Sequence, residues 1–118
     1  MLRQLKGTDE KKFYLEEVQG FVYELNPNGG LKQVYFGSIR IKRSTKNNGI
    51  KMIYYSVSNS TYQLGEEGVV CEHSGTYRFW VKNKNQVKDI YSEFMIERLK
   101  RLEERVSIIK KNMANTIL

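Results

Sequence analysis

Apolar residues in the C-terminal quarter of the chain step by four and by three from Met95 to Met113, as in a coiled-coil heptad repeat. The segment 85–115 contains no proline or glycine, and good helix formers fill the intervening positions. We therefore predict one helix over 85–115, about 45 Å long at 1.5 Å per residue. Such a helix is longer than a domain of this size and must overhang it or meet a partner. The expected oligomer interface is Leu99, Leu102, Val106, Ile109 and Met113.

Charged residues beside this seam leave the arrangement of helices open. In a parallel dimer, Arg98 and Glu103 would attract, whereas Arg105 and Lys110 would repel. An antiparallel or higher-order assembly therefore stays open, as does a single helix lying on its own sheet.

The two halves of the helix differ in pattern. Tyr91 and Phe94 lie off the seam and give the first half a second apolar face. We expect residues 87–99 to pack on a sheet and residues 102–113 to join subunits.

Between residues 13 and 82, runs of branched and aromatic residues alternate with turn signals, which predicts five or six antiparallel strands. The Asn-Pro-Asn-Gly-Gly turn at 26–30 separates a strand kinked at Gly20 from a second strand bulged near Gly37. A helix over 8–18 is the alternative for the start of this region. Residues 1–12 are expected to be loose or to form a short helical turn.

Two hairpin registers follow if apolar residues are placed opposite one another. A three-residue loop at 47–49 pairs Ile41 with Tyr55, and this is preferred to a two-residue loop. The same test at 73–75 pairs Cys71 with Tyr77 and points Phe79 inward. The fold class is thus α+β: an antiparallel meander followed by one long C-terminal helix, with 1–118 as a single domain.

These registers place cations and aromatic rings together on the outer face of the sheet. The chain has a net charge of +7, concentrated between residues 31 and 85. Cations can hold phosphates while rings stack on bases, at about 1–3 kcal/mol per base. The alternative is that the aromatic residues belong to a second core or a subunit interface. The candidate residues are Arg40, Lys42, Tyr54, Arg78, Trp80 and Lys82.

The predicted helix start is a second candidate anion site. Asn83 or Asn85 can cap the helix, and Lys82, Lys84 and Lys88 surround its unpaired N–H groups. The alternative is a solvated turn.

Catalytic, metal and membrane signals are weak. The lone Cys71 excludes an internal disulfide and fits the reducing cytoplasm. Cys71 and His73 do not complete a metal site, so no cofactor is implied. One histidine without a nucleophile motif argues against an enzyme. No apolar run reaches the roughly 18 residues that a membrane span needs.

The sequence therefore predicts a small basic homo-oligomer that binds nucleic acid, single-stranded or RNA, through the sheet face. The alternative is a phage-type inhibitor or regulator that sequesters a partner protein or a small anionic nucleotide in pockets between subunits. A structural role in a phage or mobile-element assembly also stays open.

Overall fold

The structure, a computed structural model, describes residues 2–4, 13–44 and 51–116. A 3-10 turn over Lys84–Gln86 leads into the helix α1, Val87–Ala114. The predicted α+β class, with an antiparallel sheet followed by one long helix, is confirmed. The strands are β1 Leu2–Gln4, β2 Phe13–Leu25, β3 Leu31–Ser44, β4 Lys51–Val57, β5 Ser60–Leu64, β6 Cys71–His73 and β7 Thr76–Val81.

The sheet has the strand order β5-β4-β3-β2-β7-β6, and β1 lies beside the first half of β2. Every pairing is antiparallel. The sheet curls into a half-barrel, and around its circumference the strands follow chain order from β2 to β7. Its open side lies between β5 and β6, where the Gly68 N–H donates to the carbonyl of Trp80 at 2.8 Å.

Two apolar cores lie on opposite faces of this sheet. The helix side contains Tyr23, Leu25, Phe79 and Val81, covered by side chains from the first two turns of α1. Strand β7 supplies both cores, because Trp80 points the opposite way from its neighbours. The inner core consists of Val22, Ile39, Ile41, Ile53, Tyr55, Leu64 and Trp80.

In the described part of the chain, helix α1 contacts the sheet and its β2–β3 turn through its first half. The Tyr91 hydroxyl donates to the carbonyl of Gly29 at 2.6 Å, and Arg98 Nε donates to the carbonyl of Pro27 at 3.0 Å. All residues from 99 to 114 are exposed, and the molecule is 68 Å long as a result. The prediction that the first half of the helix packs on the sheet is confirmed.

Two predicted features near the N-terminus differ from the structure. Residues 2–4 form a strand paired with residues 14–16, so that part of the segment is not loose. Backbone pairing along the long edge of β2 overrides the polar composition there. The bulge lies at Val34 rather than near Gly37, since Val22 pairs with Tyr35 and Tyr23 with Gln33.

Gly37 lies directly opposite Gly20, and both glycines make room for neighbouring side chains. A Cβ on Gly37 would come within 2.7 Å of the Tyr35 hydroxyl oxygen. A Cβ on Gly20 would come within 2.8 Å of Ile39 Cγ1 and 3.0 Å of Trp80 Cε3. At Gly20 a glycine therefore leaves room for the inner core.

Both predicted hairpin registers are wrong. Ile41 lies opposite Ile53 rather than Tyr55, a shift of two residues that keeps the same side chains inside. The predicted turn at 47–49 lies outside the described residues.

The β6–β7 hairpin is shifted by one residue, which places Cys71 opposite Arg78. Its loop has only two residues, Ser74 and Gly75, with φ of 54° and 80°. Two successive left-handed residues form the hairpin turn whose twist matches that of the flanking strands. This local geometry outweighs the pairing of apolar residues that favoured a longer loop.

Candidate ligand-binding site

A cavity of about 400 Å³ lies at the open side of the half-barrel. Five strands, β3 to β7, contribute to its wall. Its lining mixes aromatic rings, cations and neutral polar groups: Lys42, Met52, Tyr54, Thr61, Tyr62, Gln63, His73 and Arg78.

Strand register explains why the β3, β4 and β5 residues of the lining meet. Lys42 lies opposite Met52, and Tyr54 lies opposite Gln63 on the next strand. Directly paired residues in a sheet share a face, and so do residues two apart along a strand. These four side chains therefore form one continuous patch.

The β6–β7 hairpin supplies the remaining charge. Arg78 lies with its Cζ 5.1 Å from the centroid of the Tyr62 ring, and its Nη2 lies 3.2 Å from a carboxylate oxygen of Glu24. Its Nε is buried and has no hydrogen-bond partner among the described residues. The Arg78 guanidinium is thus held between the Glu24 carboxylate and the Tyr62 ring.

Stacked tyrosines support the ring that Arg78 covers. The Tyr62 ring stacks on Tyr55 at 5.1 Å between centroids, and Tyr55 packs against Tyr35 at 4.6 Å. Burial raises the pKa of Tyr55 above its ordinary value, while nearby Arg78 acts in the opposite direction. The stacked rings of Tyr35 and Tyr55 therefore support the Tyr62 ring.

Of the outward set predicted from the sequence, three members meet at this cavity: Lys42, Tyr54 and Arg78. Arg40 lies just outside it, opposite Tyr54, and its Nε is 3.7 Å from a carboxylate oxygen of Glu17.

The prediction that Arg78 and Trp80 face outward is wrong. Trp80 lies in the inner core, and Arg78, two residues away on β7, shares its face and covers Tyr62, which packs against that core. Trp80 is only 2% exposed, and its indole N–H donates to the carbonyl of Gly65 at 2.8 Å. The prediction was based on the alternation of residues along β7 and assumed that only one face of this strand is covered. The curled sheet covers the Trp80 face, while α1 covers the face of Phe79 and Val81.

The helix start forms a separate basic region. The Asn83 side chain accepts from the Asn85 N–H at 2.9 Å and so caps the 3-10 turn. The predicted cap of the long helix by Asn83 or Asn85 is wrong, because α1 begins after Gln86, which makes no side-chain cap hydrogen bond. Asp89 lies in the first turn of α1. The side chains of Lys82, Lys84 and Lys88 are exposed, and none lines the cavity.

Two of these lysines already have contacts with their own chain. The backbone N–H of Lys82 donates to a carboxylate oxygen of Glu67 at 2.8 Å. The Lys84 ammonium lies 4.9 Å from the centroid of the Phe21 ring.

The sequence did not single out several lining residues, chiefly Tyr62, His73 and Gln63. Pairing of β5 with β4 would have found Gln63, because it lies opposite Tyr54. His73 and Arg78 reach the cavity only because the sheet curls, and curvature has no local sequence signal.

Compared with protein-family models, with curated proteins and with solved structures, the chain gives no match. Within the described part of the chain, no three His, Cys, Asp or Glu side chains are grouped where they could hold a metal ion. The described helices include none that is long and apolar enough to cross a membrane.

Proposed function

We propose that the protein binds a small aromatic anion, a nucleotide, in the cavity between β3 and β7, and that it binds without catalysis. The observation that carries this proposal is the arrangement of Arg78 over the Tyr62 ring, with Lys42 and Tyr54 lining the same cavity. Aromatic side chains stack on a base, and guanidinium and ammonium groups bind phosphate oxygens.

The size of the cavity supports a ligand of this class. Small-molecule sites have volumes of roughly 300–1,000 Å³ and combine an apolar wall with a few polar groups. At about 400 Å³, the cavity lies near the lower end of this range, which favours a mononucleotide over a dinucleotide. Its polar groups come from one chain, so a nucleotide can be sequestered without a second subunit.

The first test is thermal stabilisation and calorimetric titration with a panel of mono- and cyclic dinucleotides. Lys42→Gln and Arg78→Gln should each weaken binding, because each removes one cation from the wall. Lys100→Gln is the matched control, since it removes one charge from an exposed helix position outside the cavity. The proposal fails if all three variants bind as the wild type does.

Single-stranded nucleic acid is the second candidate ligand. It is favoured by Arg40, which lies opposite Tyr54 and extends the basic surface beyond the cavity. The burial of Trp80 removes the main stacking residue from that surface, which is why a small nucleotide is preferred.

An oligonucleotide mobility assay separates the two candidates. Binding of a strand through phosphates should weaken steeply between about 50 and 200 mM salt. If an oligonucleotide binds, if Arg40→Gln weakens its binding, and if mononucleotides do not bind, single-stranded nucleic acid is the better candidate.

We propose that the binding takes place in the reducing cytoplasm, which the lone Cys71 fits.

A further inference from the structure

The part of α1 that extends past Arg98 carries an apolar seam against which no described residue from outside the helix packs. Leu102 is 44% exposed and Met113 is 70% exposed, with Val106 and Ile109 between these values. Among the described residues, the most C-terminal hydrogen bond from α1 to the rest of the fold is the one from Arg98 to Pro27, in the turn between β2 and β3. The projecting segment, 101–114, therefore presents four seam residues to solvent.

We propose that this segment pairs antiparallel with the same segment of a second copy of the chain. In the pairing, Leu102 packs against Met113 of the partner subunit, and Val106 packs against Ile109 of the partner subunit. Two-fold symmetry repeats both contacts, giving four apolar layers. The spacing of these residues, four, three and four, is that of two helices packed along a common seam.

Charge complementarity favours the antiparallel direction. With the seam at heptad positions a and d, Glu103 and Lys110 both occupy position e, and Arg105 occupies position g. In an antiparallel pair, position e faces e, so Glu103 meets Lys110 of the partner subunit twice. In a parallel pair, position g faces e, so Arg105 would repel Lys110 of the partner subunit.

The length of the overlap follows from the fold. A longer antiparallel register would place Met113 of one copy against Met95 of the other. It would also place Glu103 opposite Glu103 of the partner subunit and Arg105 opposite Arg105 of the partner subunit, and each of these pairs would repel. Met95 is already half-buried against the β2–β3 turn, where its Cε lies within 3.9 Å of a Cβ built on Gly29. The shorter register avoids these repulsions and uses only the part of α1 beyond the sheet.

Sedimentation equilibrium of the full chain, without ligand, tests the pairing. We expect a concentration-dependent approach to twice the 13.9 kDa of one chain. Ile109→Ser should raise the dimer dissociation constant at least about tenfold, because it removes one side chain from each of two layers. Ile108→Ser is the matched control: Ile108 is 60% exposed but lies off the seam, and its loss should leave the dimer unchanged.

Charge reversal tests the direction of the helices. Lys110→Glu should weaken an antiparallel dimer by opposing Glu103, and adding Glu103→Lys should restore it. A parallel dimer would instead be tightened by Lys110→Glu, because the new carboxylate would meet Arg105. A monomer at high micromolar concentration, equal effects of the two isoleucine changes, or tightening by Lys110→Glu would each overturn the proposal.

Discussion

The indole N–H of Trp80 donates a 2.8 Å hydrogen bond to the carbonyl of Gly65, and this bond joins β7 to the segment that follows β5. The backbone reinforces the junction, because the Gly68 N–H donates to the carbonyl of Trp80. These two hydrogen bonds tie the segment after β5 to β7 across the open side, where β5 and β6 are the two edges of the sheet.

Trp80→Phe should therefore lower the free energy of unfolding by about 1–3 kcal/mol, because it leaves the half-buried Gly65 carbonyl without its donor and removes part of a buried side chain. Urea denaturation followed by far-ultraviolet circular dichroism measures the change, since the variant lacks the chain's one tryptophan. Tyr54→Phe, at a half-exposed ring, is the control and should stay within about 0.5 kcal/mol of the wild type. Equal losses in the two variants would contradict a structural role for the indole N–H.

Because Glu24 and Arg78 form an ion pair, we expect substitutions of the two residues to change nucleotide affinity in opposite directions. Glu24→Gln should raise affinity a few-fold, because the Glu24 carboxylate competes with an anionic ligand for the guanidinium. Arg78→Gln should lower it. The measurement is a calorimetric titration with the nucleotide that stabilises the wild type most.

The outcome distinguishes ligand binding from general stability. Both substitutions remove the same ion pair, so a change in fold alone would move both affinities downward. A loss of affinity in Glu24→Gln would therefore count against direct contact between Arg78 and the anion.

Local patterns predicted the helix and the strands, because their periodicities are properties of single segments. The division of α1 also followed from sequence, since Tyr91 and Phe94 lie off the seam. The orientation of Trp80 could not be predicted, because β7 is covered on both faces only after the sheet curls. The cavity was missed for the same reason: His73 and Tyr62 are brought together by closure across the open side.

The two-residue turn of the β6–β7 hairpin stores a small amount of backbone strain at Ser74, whose φ is 54°. Ser74→Gly should raise the free energy of unfolding by up to about 1 kcal/mol, because glycine adopts this conformation without steric cost. Ser56→Gly, on the exposed side of β4, is the matched control and should destabilise by about 0.5–1 kcal/mol. Urea denaturation of both variants checks the prediction, which fails if they change stability in the same direction.

Tyr55 predicts an alkaline loss of stability. Burial raises the pKa of its hydroxyl in the folded protein above the ordinary value of 10.0, so the unfolded chain releases this proton at a lower pH. Above that value the unfolded state binds fewer protons than the folded state, and its formation becomes more favourable as the pH rises. The stability that the protonated Tyr55 hydroxyl contributes is therefore complete below about pH 9 and declines above about pH 10.

Tyr55→Phe has no such proton, so the difference in unfolding free energy between wild type and variant should be constant to about pH 9 and then shrink. Tyr77, whose pKa is raised by its hydrogen bond to Glu72, is present in both proteins and cancels in the comparison. Urea denaturation at constant ionic strength from pH 7 to about pH 11 measures the difference. A difference that stays constant over the whole range would show that Tyr55 ionises equally readily in the folded and unfolded chains.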